Sequence, residues 1–310
     1  MLLSLHSSYD LKQMQSLPLK QKIAMSKRRI REWYDYWDGE VYVSFSGGKD
    51  STVLKHLVEN TSGVYDVPSV FVNTGLEYPE VRMFATSSPN VKKITPKMRF
   101  DEVIKKYGYP VPSKEQSAYI QEYTTTKSEK LKEIRLNGNK YGRGKISKKW
   151  LFLTEAPFKV SDKCCDIMKK NPVHKYEKET GRHPFIGTMA CESMQRESNW
   201  KMYGCNAFDK KRPTSQPLSF WTEQDILQYI VENNLVYSKI YGQIKQDENG
   251  KYYTTGADRT GCMFCMFGCH LEKEPNRFQR MKKSHPKQYN YCMNELGLKE
   301  VLDYIGVKYE

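Results

Sequence analysis

Apolar positions in the first third of the chain fall into short runs that alternate between two spacings. Residues 41–45 (Val-Tyr-Val-Ser-Phe) form a mostly apolar, β-branched run, which predicts a buried strand. Residues 51–59 carry apolar side chains at helical spacing, and the segments 69–73 and 91–95 again have the strand pattern. Strands that alternate with helices in this way predict a parallel sheet covered by helices on both faces.

Further elements flank this core pattern. The segment 19–37 has helical spacing and precedes the first strand, and the strand pattern resumes at 185–187. The segment 222–233 predicts another helix, in which Thr222 is the N-cap and Asp225 follows three residues later. The alternation of strands and helices therefore extends well beyond the first hundred residues.

The pattern changes between residues 113 and 150, which are polar, rich in Lys and Arg, and interrupted by glycines. We expect a helical hairpin or a mobile lid there, outside the sheet. The predicted fold is α/β, with a doubly wound, mainly parallel sheet, a basic helical insertion (113–150) and a helical C-terminal tail. The expected division is a helical segment 1–40, a nucleotide-binding domain 41–270 that contains the insertion, and the tail 271–310.

Charge and composition narrow the class of protein. The 310 residues carry a net charge of +14, from 50 basic and 36 acidic residues. This balance suits a nucleic acid (DNA or RNA) or a nucleotide as partner, but a solvated Lys-rich surface would give the same value. The sequence contains no apolar run of eighteen residues, so we predict no membrane span. Met1–His6 lacks the pattern of a secretory signal. We expect a cytoplasmic protein, and a homo-oligomer is compatible with these features.

The segment 46–51, Ser-Gly-Gly-Lys-Asp-Ser, lies directly between a predicted strand and a predicted helix. Two glycines let the backbone approach phosphate oxygens closely, and the N–H groups of the helix start favour an anion. The two serines can donate hydroxyl hydrogen bonds, and Lys49 supplies positive charge. Phosphate would repel Asp50 unless this side chain holds a cation or caps the helix, so a Mg²⁺ ligand is a hypothesis for it. The simpler alternative is an ordinary Gly-Gly turn before a capped helix.

This loop is not the GxxxxGK[ST] loop of the common nucleotide triphosphatases. It resembles the pyrophosphate loop of the adenine nucleotide α-hydrolase superfamily, which includes ATP pyrophosphatases, tRNA thiolation enzymes and the adenylyl sulfate and phosphoadenylyl sulfate reductases. The segments 73–80, 187–196 and 216–222 are similar to further blocks of the reductases in the same order. The resemblance implies binding of ATP or adenylyl sulfate with Mg²⁺, and chemistry near the α-phosphate. The nucleotide-binding residues that it implies are Ser44, Ser46, Gly47, Gly48, Lys49, Asp50, Ser51, Asn73, Thr74, Gly75 and Gly187, and the catalytic ones are Lys49, Asp50 and Arg196.

The eight cysteines are clustered unevenly, which argues against a disulfide framework in a chain without a secretion signal. Cys164 and Cys165 are adjacent, and Cys262 and Cys265 have the compact spacing of zinc and iron–sulfur ligands. Together they supply the four thiolates of a [4Fe–4S] cluster. Structural zinc on the same thiolates, or Cys269 in place of one of them, remains an alternative.

The cysteine pattern also carries a resemblance. Cys-Cys followed by a basic run and Asn-Pro, and then a distant Cys-x-x-Cys, is similar to the cluster motif of the assimilatory adenylyl sulfate reductases. These reductases attack sulfur with the cysteine of a C-terminal Glu-Cys-Gly-x-His motif, which the printed sequence does not contain. Cys292 is a weak substitute, because it lies in a helical pattern without the Gly and His. We interpret Cys191, Cys205 and Cys292 as ordinary thiols and His270 as structural.

Three functions are compatible with these features. The first is an enzyme that releases pyrophosphate from ATP and adenylylates an acceptor for sulfur transfer from a sulfur donor, with nucleic acid as one candidate acceptor. The second is an adenylyl sulfate or phosphoadenylyl sulfate reductase served by a thioredoxin-like reductant. The third is a nucleotide- or nucleic-acid-binding subunit without turnover. If nucleic acid binds, we expect its contacts in the insertion to be Lys127, Lys130, Lys132, Arg143, Lys145, Lys148 or Lys149.

Overall fold

The structure is a computed structural model that describes residues 5–310. The expectation drawn from Met1–His6 therefore lies mostly outside the described residues. The chain folds into two compact units, each discontinuous in sequence. The first contains the described part of Met1–Asn73, then Glu77–Ile94 and Val173–Thr260, and the second contains Thr74–Leu76, Thr95–Pro172 and Gly261–Glu310.

A six-stranded sheet is the centre of the first unit, with the strand order β3-β2-β1-β4-β6-β5. Its neighbouring strands are parallel except for β5 and β6, and Val43 lies opposite both Ser69 and Phe185. A separate antiparallel pair, β7 and β8, belongs to the same unit. The strands are β1 (Val41–Ser44), β2 (Ser69–Val72), β3 (Val91–Ile94), β4 (His183–Ile186), β5 (Asn206–Ala207), β6 (Thr214–Ser215), β7 (Ile244–Gln246) and β8 (Tyr252–Thr254).

Helices make up most of the remaining structure. Within residues 5–310, no helix is long and apolar enough to cross a membrane. The α-helices are α1 (Ser8–Gln15), α2 (Leu19–Tyr36), α3 (Lys49–Glu59), α4 (Pro79–Ser87), α5 (Phe100–Tyr107), α6 (Lys114–Thr125), α7 (Glu129–Asn137), α8 (Lys163–Cys165), α9 (Asn171–Thr180), α10 (Met194–Tyr203), α11 (Glu223–Glu232), α12 (Arg277–Ser284), α13 (Pro286–Asn290) and α14 (Leu298–Tyr304).

The core of the first unit explains why these segments fold as they do. The strands β1 and β4 are buried and apolar, and the apolar side of α3 packs on them with side chains such as Leu54, which is fully buried beside Phe185. Helix α11 begins at the predicted cap, because the Thr222 side chain accepts a hydrogen bond from the Asp225 backbone N–H. Asp225 also pairs with the buried Lys22 at 2.7 Å. The fold class predicted from the sequence is confirmed.

The second unit is helical and contains the basic segment. Helices α6 and α7 form a hairpin, and a 3₁₀ helix follows at Lys148–Glu155. No residue of this segment belongs to a strand. The predicted division at residues 40 and 270 stays a prediction.

Strands β5 to β8 are absent from the sequence-based prediction. Each has two or three residues, and a run this short has too few side chains to show an alternation of apolar and polar positions. The antiparallel edge of the sheet therefore became visible only in the structure.

Candidate functional site

The loop between β1 and α3 is held in a shape that requires glycine. Gly47 has a φ of +74°, in the left-handed region. A Cβ added at Gly47 would lie 2.9 Å from the Val81 carbonyl oxygen and 3.0 Å from the Ala85 Cβ. A Cβ at Gly187 would meet the Asp50 carbonyl oxygen at 3.1 Å, so the loop after β4 also approaches the start of α3 closely.

Three backbone N–H groups of the loop donate hydrogen bonds to side-chain hydroxyl oxygens. The Ser46 N–H donates to Ser51 Oγ at 3.2 Å, the Gly48 N–H to Ser46 Oγ at 3.3 Å, and the Lys49 N–H to Tyr241 Oη at 3.3 Å. Gly48 is the N-cap of α3 and provides no side-chain cap. Donors that converge at an uncapped helix start are what an oxyanion of phosphate needs.

The Lys49 side chain is directed into a polar pocket of the first unit. Its ammonium donates to the Asp258 carbonyl oxygen at 2.7 Å and pairs with Glu223 Oε1 at 3.1 Å. The Tyr241 hydroxyl lies beside this group and is hydrogen-bonded to Thr260 Oγ1 at 2.7 Å. The Lys49 side chain is only 6% exposed. A phosphate oxygen would therefore contact the Lys49 ammonium by replacing the Asp258 or the Glu223 oxygen.

Asp50 is the unusual carboxylate of the loop. Its Oδ1 atom is buried and has no hydrogen-bond partner among the described residues. Burial raises the pKa of Asp50, and the neighbouring charge of Lys49 opposes this rise. A buried carboxylate oxygen without a partner is a suitable ligand for a Mg²⁺ ion, which prefers carboxylate and phosphate oxygens.

Arg196 belongs to a charged cluster that the sequence did not disclose. Glu192 pairs with Arg196 through Oε2 and with Arg259 through Oε1, the second pair at 2.6 Å. Burial lowers the pKa of Arg196, and the nearby Arg259 lowers it further. Both arginines also act electrostatically on Asp50. Glu192 and Arg259 are 67 residues apart, so no local motif could have predicted their contact.

The remaining predicted nucleotide contacts lie at the ends of strands. Ser44 ends β1, and Asn73 follows β2 with a buried Oδ1 atom that has no hydrogen-bond partner among the described residues. Thr74 and Gly75 belong to the second unit, where Thr74 Oγ1 accepts a hydrogen bond from the Leu76 N–H at 3.1 Å. The roles of these residues stay predictions.

All four predicted cluster cysteines lie in the second unit. Cys164 and Cys165 form α8, which a single π-helical turn continues, so both side chains start from one helical turn. Burial raises the pKa of Cys164, and charge repulsion from Cys262, Cys165 and Cys265 raises it further. The Cys265 thiol has a raised pKa for the same two reasons, with burial first and Cys165 contributing. Cys164 therefore lies within electrostatic range of the other three thiols.

Four cysteine thiols are the usual ligands of an iron–sulfur cluster, but the positions of these side chains do not identify such a site. Within residues 5–310, no three His, Cys, Asp or Glu side chains converge as they would around one metal ion. In a [4Fe–4S] cluster each thiolate binds its own iron, so its sulfurs do not have to meet at one point. The cluster on Cys164, Cys165, Cys262 and Cys265 stays a prediction.

The other cysteines differ in their exposure. Cys292 is fully buried, and burial raises its pKa to about 12. Cys269 is also buried and has a pKa raised to about 11, with Arg277, Glu272 and Cys265 as its charged neighbours. Cys191 is exposed and lies within electrostatic range of Arg259 and Asp50. The sequence indicated an ordinary thiol at Cys191, because its local pattern shows no partner from the distant residue Arg259.

The substitution Gly47→Ala tests whether the loop shape matters. It should cost about 1–2 kcal/mol of stability from the positive φ, and should also displace the loop from Val81 and weaken nucleotide binding. Gly181→Ala is the matched control, because Gly181 has a φ of +72° and no atom within 4 Å of the added Cβ. Thermal unfolding and calorimetric ATP titration measure both effects. Equal ATP affinity in the two variants would contradict the assigned role of the loop.

The chain is similar to one family profile and to several solved structures. The sequence profile of the phosphoadenosine phosphosulfate reductase domain matches residues 40–269. A phosphoadenylyl-sulfate (PAPS) reductase from Candida auris, solved as a phosphate complex, is 16% identical with a TM-score of 0.42, over 79% of this chain and 98% of that one. The U34-tRNA thiolase NcsA from Methanococcus maripaludis, solved with its [4Fe-4S] cluster, is 14% identical with a TM-score of 0.37, over 93% of this chain and 82% of that one. A comparison with curated protein sequences gives no match.

The match of the family profile covers the six-stranded sheet, the phosphate loop, Arg196 and the four predicted cluster cysteines. Members of this family are enzymes of sulfur transfer or reduction. The resemblance inferred from the loop and the cysteine pattern is thereby confirmed, and the chain belongs to the phosphoadenosine phosphosulfate reductase family, within the adenine nucleotide α-hydrolase superfamily.

Proposed function

We propose that this chain cleaves ATP at the α-phosphate, releases pyrophosphate and adenylylates an acceptor oxygen for sulfur transfer. The observation that carries the proposal is the loop, whose N–H groups at Ser46, Gly48 and Lys49 surround an uncapped helix start. Such donors stabilise the negative charge that develops on a leaving pyrophosphate.

Each charged residue of the loop region has a role in this reaction. The acceptor oxygen attacks the α-phosphorus, the bond to the bridging oxygen breaks, and pyrophosphate leaves with its electron pair. Lys49 exchanges the Asp258 carbonyl oxygen for a phosphate oxygen, and Arg196 offsets the charge of the pentacoordinate phosphorus. Glu192 holds Arg196 in place. A sulfur nucleophile from the donor then displaces AMP, so that the acceptor carries sulfur in place of oxygen.

Two cofactors would complete the site. Asp50 would hold Mg²⁺, which would neutralise phosphate charge. Cys164, Cys165, Cys262 and Cys265 would hold the [4Fe–4S] cluster, which would supply an iron–sulfur centre to brace the fold or position the sulfur donor. Neither group is needed to explain how the loop orients the phosphates.

One experiment separates this reaction from reduction. Anaerobically purified protein is incubated with ATP and Mg²⁺, and in parallel with adenylyl sulfate and thioredoxin, while pyrophosphate and sulfite are assayed. Pyrophosphate from ATP, increasing when the acceptor is supplied, is the expected result. Sulfite without pyrophosphate would replace the proposal with the reductase.

The reductase is the second candidate, and the position of Cys191 favours it. The residue is exposed and lies within electrostatic range of Asp50 and Arg259. Its thiol donates to the Trp221 carbonyl oxygen at 3.6 Å, and desolvation raises its pKa, which opposes formation of the thiolate. In that reaction a thiolate attacks the sulfur of adenylyl sulfate, AMP leaves, and a thiosulfonate forms on the cysteine. A dithiol reductant then releases sulfite and is itself oxidised to the disulfide.

Serine variants identify the nucleophile if sulfite is found. Cys292→Ser should leave sulfite release unchanged, because a pKa of about 12 leaves only about one thiol in 10⁵ ionised at neutral pH. Cys191→Ser should abolish it if the chain is a reductase. If Cys292→Ser, but not Cys191→Ser, abolished sulfite release at an unchanged unfolding temperature, Cys292 would be the nucleophile. That result would contradict our assignment of Cys292 as a buried, unreactive thiol.

A further inference from the structure

Half of the excess positive charge of the chain lies in one short segment. Residues 126–150 contain nine basic and two acidic residues, a surplus of seven against the net charge of +14 for all 310 residues. The segment comprises α7, the turn after it and the start of the following 3₁₀ helix, all within the second unit. Charge at this density in a folded segment is the electrostatic footprint of a polyanion site.

Most of these cations are not neutralised by the protein. Lys132 pairs with Glu129 and Arg135 with Glu122. The other basic residues of the segment are exposed and form no ion pair within residues 5–310. They are Lys127, Lys130, Lys140, Arg143, Lys145, Lys148 and Lys149. A solvated helix face usually carries interspersed acidic partners, and this surface has almost none.

The turn that carries the central cations is ordered by its own hydrogen bonds. Asn139 Oδ1 accepts from the Tyr141 N–H at 2.9 Å and from the Arg143 N–H at 3.1 Å, and the Asn139 N–H donates to the Arg143 carbonyl oxygen at 2.7 Å. Arg135 donates to the Gly144 carbonyl oxygen at 2.6 Å, which ties the end of the turn to α7. A surface that is already ordered loses little conformational entropy when it binds.

An aromatic side chain lies at the tip of this turn. Tyr141 is 72% exposed. Its neighbour Lys140 lies 5.0 Å from the ring centre. An exposed ring among unpaired cations provides a surface on which an unpaired base can stack while the cations contact the backbone phosphates.

We propose that residues 126–149 bind single-stranded nucleic acid, with Tyr141 as the stacking residue and the unpaired cations as the phosphate contacts. A single strand is favoured over a duplex because paired bases do not offer their faces to an exposed ring. Binding at this surface does not depend on the reaction proposed above. The further step, that the bound strand carries the acceptor oxygen, does rest on that reaction.

The test measures binding without nucleotide. Fluorescence anisotropy with labelled 20-nucleotide RNA and DNA single strands, over a range of salt concentrations, gives the affinity and its salt slope. One variant combines four substitutions: Lys127→Gln, Lys140→Gln, Arg143→Gln and Lys145→Gln. It should lower the slope of log affinity against log salt concentration by about 0.7 for each phosphate that the protein no longer neutralises. Tyr141→Ala should weaken binding about fivefold or more at an unchanged slope, and Tyr141→Phe should bind as the wild type does.

The control removes four charges elsewhere in the same unit. Lys273, Lys283, Lys287 and Lys299 are exposed and form no ion pair within the described residues, so their combined change to Gln leaves the proposed surface intact. This variant should keep the affinity and slope of the wild type. Three results would each overturn the proposal. They are an equal loss of affinity in both combined variants, tighter binding of the matched duplex than of the single strands, and binding to anionic phospholipid vesicles with no binding to either single strand. Because no ATP is present, failure here leaves pyrophosphate release untouched, and the reverse also holds.

Discussion

Lys49→Met should lower the proposed release of pyrophosphate from ATP by about 100-fold or more, because the loop then lacks the positive charge that stabilises the negative charge developing on the leaving pyrophosphate. Methionine keeps the length of the side chain, and the partners left behind are the Asp258 carbonyl oxygen and the half-exposed Glu223. Folding should therefore survive. The measurement is single-turnover release of pyrophosphate, with the ATP dissociation constant determined separately.

The two readouts distinguish catalysis from simple binding. A loss of rate at nearly unchanged ATP affinity means that Lys49 stabilises the transition state more than the bound ATP. Equal losses of rate and of ATP affinity mean that Lys49 stabilises both to the same extent. Lys178→Met is the control, since Lys178 is exposed on α9 and forms no ion pair among the described residues. Full activity of Lys49→Met would remove Lys49 from the proposed mechanism.

If the proposed [4Fe–4S] cluster is present, Cys164→Ser should lower the iron content of anaerobically purified protein from about four atoms per chain to near none. Cys164 is buried, and its thiol interacts electrostatically with those of Cys262, Cys165 and Cys265. Iron analysis and the visible absorption spectrum measure the loss, independently of any activity.

Other cysteine variants identify the ligand set. Cys191→Ser should keep its iron, because Cys191 is not among the thiols that act electrostatically on Cys164. Cys269→Ser should also keep it, whereas iron loss in Cys269→Ser but not in Cys262→Ser would place Cys269 among the four ligands. Stoichiometric zinc in the wild-type protein, without iron, would refute the cluster and support structural zinc.

The sequence was sufficient wherever the signal is local. Strand β1 must be apolar to lie inside a parallel sheet, so residues 41–45 predicted it to within one residue. The loop 46–51 was recognisable because glycine, serine and lysine are needed at fixed positions between one strand and one helix. The cap at Thr222 depends on a residue three positions away, which is also visible in the sequence.

The contacts around the loop could not be predicted in this way. Lys49 is 192 residues from Tyr241 and 209 from Asp258, and its ammonium is held by a carbonyl oxygen that any residue would offer. The cluster of Glu192, Arg196 and Arg259 likewise depends on where a distant segment returns to the first unit.

The sequence by itself determined the fold class and the phosphate loop, because periodicity and short spacings are properties of neighbouring residues. It also indicated the family, through several motifs in a fixed order along the chain, whereas the grouping of the four thiols stays a prediction. The tertiary structure decided which side chains surround Lys49 and Asp50, which cysteines are buried or exposed, and which cations of the basic segment lack acidic partners. Those properties depend on the path of the whole chain, because burial and charge pairing arise only when residues far apart in sequence pack together.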